Sequence, residues 1–357
     1  MDCFFGYANR SLVRKEPTFP FFGYSNRSLV RMEPTFPLFL LPENAIISVL
    51  KNMNLAELFF ISTVSTKSKN LVASLKLRAE CVNIRISRAI RLAVYVGRAH
   101  FNLFIYNDAN GQNGESPADI TLPVAATFLG YQGSTIQLTT PLLNFHNWLN
   151  YIQSVFCCTL PPKLVFDQGC ERFDFSLLKD AIGNVNWLIL FSQSTDIQEK
   201  KILKYFNAPK NLYMRRNPFE EATCEIQKIF IQNFKTIGFQ DAYTLDDMLL
   251  VNSEKVEFFI PTTQKQFNRF LKHWIRGSNP RLQEMSLPID ETDFVHGEIY
   301  LKGIRCMEIS EETKRDILQK HRLLKGMVQI RRQDGTTAVT ATNDAGRSLK
   351  IHLIVLH

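Results

Sequence analysis

The sequence predicts an α+β protein: a small three-helix bundle followed by a βα repeat-like domain, with antiparallel β elements at both ends of the β region. Three patterns carry this expectation. Between Leu41 and Leu75 apolar residues recur three times at the spacing of an amphipathic helix. Residues 81–105 then alternate apolar and polar, the period of a half-buried strand. From about residue 141 short apolar runs return at intervals of about 24 residues, with helical periodicity between them.

In chain order, residues 1–37 are a near-exact duplication. Phe4–Pro20 reads FFGYANRSLVRKEPTFP and Phe21–Pro37 reads FFGYSNRSLVRMEPTFP, differing at Ala8/Ser25 and Lys15/Met32. Two copies cannot stack into a solenoid, which needs at least three units to bury a continuous core. A disordered arm is expected, with a short docking peptide as the alternative.

Residues 38–78 carry the three helical signals. Pro42 suits a first helical position, and Ile46, Val49, Leu50 and Met53 then form one stripe. Asn54 with Glu57 three residues on has the form of a capping box opening a helix through Leu55, Leu58, Phe59 and Ile61. A third helix starts near Ser65 and runs through Leu71, Val72 and Leu75. Three such short helices bury too little surface to stand alone. Their surplus apolar surface implies a permanent partner or an adjoining domain.

Residues 79–140 read as an antiparallel meander and a loop. Val82, Ile84 and Ile86, then Ile90, Leu92, Val94 and Val96, then Phe101, Leu103 and Ile105 mark strands, and Asn107–Pro117 is rich in turn residues. From 141 to 357 the rhythm is βα. Leu142, Phe145, Leu149, Ile152 and Phe156 mark a helix. Strands follow at Lys163–Phe166, Trp187–Leu190, Asn211–Met214, Thr236–Phe239, Val256–Phe259 and Leu282–Met285. One strand and one helix per period is the size of a leucine-rich-type repeat, whose strands lie parallel, although no Asn or Cys ladder is present. A general α/β layer is the alternative. The end reads as a β-hairpin segment through Val328, Ile330, Ala338–Ala341 and Leu349–Leu356.

Composition narrows the function. With 357 residues, 45% hydrophobic, 21% charged and 11% aromatic, disorder throughout is excluded. No apolar run approaches the roughly 18 residues of a membrane span. Asp2 and Arg10 precede any apolar core, the wrong order for a secretory signal, so an intracellular protein, cytoplasmic or nuclear, is expected. Seven cysteines without a Cys-x-x-Cys spacing indicate neither a disulfide framework nor a thiolate zinc site. The net charge of +8 lies wholly in residues 1–105, which hold 14 Lys and Arg against 6 Asp and Glu, while the remainder balances.

No constellation for catalysis is found. The seven histidines are scattered, Gly111 and Gly114 lack the context of a phosphate loop, and the pairs Asp246-Asp247, Glu220-Glu221 and Glu311-Glu312 fit helix starts on solvated faces. No catalytic residue, metal ligand or cofactor is expected, and the chain is not expected to be an enzyme. Lys67, Lys69, Lys76, Arg78, Arg85, Arg88, Arg91 and Arg98 oppose only Glu80 and could face phosphates. Aliphatic residues rather than stacking aromatics lie between them, so an acidic protein surface is the preferred partner over nucleic acid.

The stretch from Phe39 to Lys67, FLLPENAIISVLKNMNLAELFFISTVSTK, resembles the F-box, a three-helix motif that docks on the Skp adaptor of cullin-based ubiquitin ligases. The resemblance implies adaptor contacts through Leu41, Pro42, Ile46, Val49, Leu50, Leu58, Ile61, Val64 and Ser65. It also implies that Leu41, Ile46 and Leu50 are left partly exposed for the partner, where a standard interface of roughly 800 Å² per side would hide them. Phe270–Leu282 (FLKHWIRGSNPRL) and Gly326–Ala338 (GMVQIRRQDGTTA) resemble the F-box-associated domain, of the second type, of the nematode F-box proteins. Together these imply a substrate-receptor subunit that joins an unidentified protein target, through the adaptor, to a cullin. Tyr213, Arg215 and Glu257 are candidate target contacts if the strands form a curved sheet. A nucleic-acid-binding or innate-immune interaction module that does not engage the ligase is the second reading.

Overall fold

The computed structural model describes residues 38–105, 117–129, 135–191, 194–207, 209–219, 223–290, 299–321, 323–344 and 349–356. The duplicated arm and nearly all of the Asn107–Pro117 loop lie outside these residues. The chain divides into two compact units, residues 1–46 and 47–357. In the first, a 3-10 turn at Leu38–Leu40 precedes helix α1 (Glu43–Leu50), which runs on into the second. The Pro42 carbonyl accepts from the amides of Ala45 and Ile46 at 2.9 and 3.1 Å, so Pro42 stands where a missing N–H costs nothing.

In the second unit α2 (Leu55–Ser62) opens on the expected capping box. The Glu57 amide donates to Asn54 Oδ1 at 3.0 Å, and the Asn54 amide donates to Glu57 Oε2 at 2.9 Å. Helix α3 (Thr66–Ser74) opens the same way, with Ser68 filling the role of the acid opposite Ser65. Beyond them lies one sheet of fourteen strands among the described residues. A meander comes first: β1 (Cys81–Ile86), β2 (Ile90–Val96), β3 (Ala99–Ile105), β4 (Val124–Leu129) and β5 (Thr135–Leu143). Helix α4 (Phe145–Val155) leads into the repeating part: β6 (Lys163–Phe166), α5 (Phe175–Ile182), β7 (Trp187–Leu190), α6 (Asp196–Tyr205), β8 (Asn211–Met214), α7 (Thr223–Phe230), β9 (Thr236–Phe239), α8 (Leu245–Leu250), β10 (Lys255–Phe258), α9 (Gln264–Arg276) and β11 (Glu284–Ile289). Helix α10 (Glu311–Lys320) precedes β12 (Lys325–Arg331), β13 (Thr337–Asp344) and β14 (Leu349–Leu356).

Strands β6 to β11 lie side by side in parallel, as a βα repeat requires. Antiparallel strands flank them on both sides: β14 pairs with β11, and β1 pairs in parallel with β6 before the meander turns back on it. The sheet therefore runs without a break across residue 140. Strands β4 and β5, helix α8 and the C-terminal segment depart from the sequence reading. Strands β4 and β5 were not foreseen, because Pro141 and a register shift interrupt the alternation. Pro141 is tolerated since β5 is the edge strand, where no neighbour needs its missing N–H. The C-terminal segment is a three-stranded ribbon, β12-β13-β14, rather than a hairpin.

Alternate residues of the parallel strands form the core. Leu164, Phe166, Leu188, Leu190, Leu212, Met214, Ile237 and Phe239 are almost wholly buried. The helices bring rings to the same side: Phe175 and Phe206 each stand 5.6 Å from Phe166, and Phe230 stands 5.3 Å from Phe239. Helix α2 joins this layer. Phe59 lies 5.2 Å from Phe101 of β3, 5.3 Å from Phe128 of β4 and 6.1 Å from Phe156. The Tyr151 hydroxyl of α4 donates to the Ser62 carbonyl at 2.6 Å. Much of the surplus apolar surface expected of the bundle is thus covered by the chain's own strands and α4.

Two predictions follow from this core. Phe59→Ala should cost about 3–5 kcal/mol. Because the ring belongs to a shared core, far-UV dichroism and tryptophan fluorescence should move to lower denaturant together. Separate transitions would show that the helices fold apart from the sheet. The second concerns Glu199 of α6, which is buried and whose pKa burial raises to about 7, even with Arg216 Nε at 3.2 Å from Oε1. The folded state holds this proton above the pH at which the unfolded chain releases it, so the associated stability is complete below about pH 4.5 and lost as pH rises through 7. Between pH 4.5 and 8 the wild type should therefore lose on the order of 2–3 kcal/mol relative to Glu199→Gln, read from urea midpoints.

Candidate partner-binding surfaces

The nine residues expected to meet an adaptor separate by exposure. In the first unit Leu41 is half-buried, Pro42 is exposed and Ile46 is 1% exposed. In the second, Leu50 and Leu58 are buried, Ile61 is half-buried, and Val49, Val64 and Ser65 are exposed. The expectation that Ile46 and Leu50 stay partly exposed is corrected: both lie inside, where the spacing that made them a stripe also makes them core. Sequence reasoning missed Leu40 and Phe60, which are 83% and 43% exposed. Phe59 and Phe60 are consecutive on a helix and point about 100° apart, so burying one turns the other outward.

The α2–α3 turn shapes a shallow cleft of roughly 390 Å³, lined by Ser62, Thr63, Val64, Ser65, Thr66, Lys69 and Tyr151. Lys69 Nζ sits 4.6 Å over the Tyr151 ring, which fixes one wall. Five of the seven lining residues carry a hydroxyl, and Val64 is the exposed apolar one.

The second surface is the sheet face turned away from the core rings. In register across it run Arg91, Arg85, Val165, Ile189, Tyr213, Gly238, Glu257, Ser286 and His352. The candidates Tyr213 and Glu257 share this row, and Arg215 is exposed just beyond β8. At the β14 end α10 covers the face, with Ile317 and Leu324 packed on Val339, Ala341 and Ile354. Burial raises the Glu257 pKa against the pull of Lys350 Nζ at 3.6 Å, and burial lowers His352 to about 4. Lys163, over the Trp187 ring in the adjoining row, is lowered to about 8 by burial. Tyr213 stands 6.2 Å from Phe191 and 5.5 Å from Phe259, and its hydroxyl donates to Gln240 Oε1 at 2.6 Å. A Cβ on Gly238 would fall 2.7 Å from Tyr213 Cδ2, so the glycine gives the ring its place.

Among the described residues no group of three His, Cys, Asp or Glu could hold a metal ion, and no helix is long and apolar enough to cross a membrane. What the fold offers is two surfaces of the interaction type, one on short capped helices and one on a sheet face.

The comparisons agree with this class. Residues 38–80 match the family described as F-box domain, and residues 225–287, from α7 into β11, match the family described as F-box associated. The resemblance at Phe270–Leu282 falls inside the second match and that at Gly326–Ala338 outside it. The chain is 25% identical over 303 residues to the F-box associated domain-containing protein sdz-33 of Caenorhabditis elegans, covering 84% of this chain and 91% of that one. No solved structure matches. These matches support reading the chain as a nematode-type F-box protein with an F-box-associated domain of the second type.

Proposed function

We propose that this chain is a substrate-receptor subunit of a cullin-based ubiquitin ligase. Its F-box binds the Skp adaptor and its C-terminal sheet domain, residues 141–357 with the meander beside it, holds a protein target. The chain itself carries out no chemistry; ubiquitin is transferred by other subunits. The observation that carries this reading is the F-box match at residues 38–80 together with apolar side chains left uncovered there, Val49, Phe60 and Val64. Pro42 and the half-buried Leu41 and Ile61 belong to the same proposed contact set, with Ser65 at the rim of the cleft. Leu50 and Leu58, which are buried, support it from inside.

The nucleic-acid reading has less to stand on. Within its basic stripe Arg85 is paired with Asp167, and Lys69 is occupied by the Tyr151 ring.

Aspartate at Val49, Phe60 and Val64 tests the adaptor contact. These positions face solvent, so the triple variant should keep its denaturant midpoint to within about 1 kcal/mol. A carboxylate forced into a protein interface loses its water, so co-purification with the Skp adaptor should fall at least about tenfold. Undiminished capture by the folded variant would overturn the proposal. Leu50→Ala is the wrong probe, since its cavity alone would cost about 2–5 kcal/mol.

A further inference from the structure

The core-averted sheet face has a chemical gradient that the receptor role does not by itself require. At its β2–β1 end two guanidiniums stand directly opposite each other, Arg91 and Arg85 being partners in the antiparallel register. Like charges in that position repel. Asp167 is paired with Arg85, and the Nε of Arg91 is buried without a hydrogen-bond partner. Burial, and then the Arg85 cation, disfavour the charged form of Arg91. Moving inward, Val165 and Ile189 are 9% and 8% exposed and form a floor between longer side chains. Tyr213 follows, its ring half-buried over the space Gly238 leaves. The acids further along do not extend the positive field, because Glu257 is met by Lys350 and Glu284 by Lys255 at 2.9 Å.

We propose that this face, from Arg91 and Arg85 across Val165 and Ile189 to Tyr213, binds an acidic, aromatic-containing peptide segment of the target, an inference that rests on the receptor reading. A carboxylate there relieves the Arg91–Arg85 repulsion, while an apolar side chain packs on the aliphatic floor against Tyr213. Four strand spacings separate β2 from β8, about 19 Å, which is the reach of about six extended residues. The fitting ligand therefore carries its acids about six residues from its aromatic group. Single-stranded nucleic acid would bring the same negative charge, but the floor beside the arginines is aliphatic and gives bases nothing to stack on.

The test uses the full chain and labelled twelve-residue peptides in which an Asp-Glu pair stands about six residues from a Phe, beside the same peptides with Asn-Gln. In fluorescence polarisation the acidic series should bind at least about tenfold more tightly, and the gap should shrink as salt is raised. Arg91→Gln should shrink it to about twofold, while Lys265→Gln, an equal charge change at an exposed position of α9, should leave it unchanged. Equal binding of the acidic and amide series, an undiminished gap in Arg91→Gln, an equal loss in Lys265→Gln, or tighter binding of a DNA or RNA oligonucleotide of the same length would each overturn the proposal. The peptide comparison needs no variant to fold. Adaptor capture is read on the same preparation: a chain that captures the adaptor but fails the acid–amide comparison loses this inference alone, and the reverse result removes the ligase reading while the face stands.

Discussion

The packing of Phe59 is the constraint from which the rest follows. Helices α2 and α3 are eight and nine residues long, too short to hold together by propensity or by burying each other. They acquire a core by placing one ring among Phe101, Phe128, Trp148 and Phe156, groups that belong to the sheet and to α4. That choice determines what is left over. With Leu55, Leu58 and Phe59 turned inward, Phe60 and Val64 are turned outward, and the outward set is what a second protein could meet. Helices α2 and α3 are thus built into the domain behind them, and their outer face is set by what their inner face must fill.

The sheet obeys a similar rule with a different period. Each parallel strand is only four to six residues long, and alternation sends Leu188 and Leu190, or Leu212 and Met214, to the helices. The intervening residues are released from that duty. They carry the charges and aromatic rings of the other face, and register pairing lines them up across the strands. Chemistry that would be scattered in sequence becomes a row. Lys163, Trp187, Asn211 and Lys255 are far apart along the chain and neighbours in space for that reason alone.

How much could be read beforehand follows from the same physics. Strands β6 to β9 appear at their sequence-read limits because a buried parallel strand is a short unbroken apolar run with a breaker on either side. The capping boxes at Asn54 and Ser65 are local, and local rules suffice for them. Helix α8, six residues long, falls below the length at which periodicity declares itself, and the alternation of β4 and β5 is blurred by Pro141. For the partner surface, apolar spacing identified the helices but could not tell Leu50, which fills the core, from Val49 beside it, which does not. Both lie on the same apolar stripe. Which of them meets solvent is decided by tertiary packing, which no local window contains. Arg85 and Arg91 were legible as outward strand residues; that they stand opposite each other needed the register.

The arrangement has an energetic consequence for how such a receptor changes partners. Core positions such as Leu212 cannot be altered without a cavity of about 2–5 kcal/mol. An exposed outward residue such as Arg215 contributes little to the fold, and surface substitutions of that kind are usually within about 0.5 kcal/mol. A face made of every second residue can thus be rewritten position by position while the layer behind it stays fixed. Gly238 is the exception. Any side chain there starts with a Cβ 2.7 Å from Tyr213 Cδ2, so the ring would have to leave its position first. Tyr213 and Gly238 therefore change as a pair or not at all, which makes the centre of the face its least adjustable part.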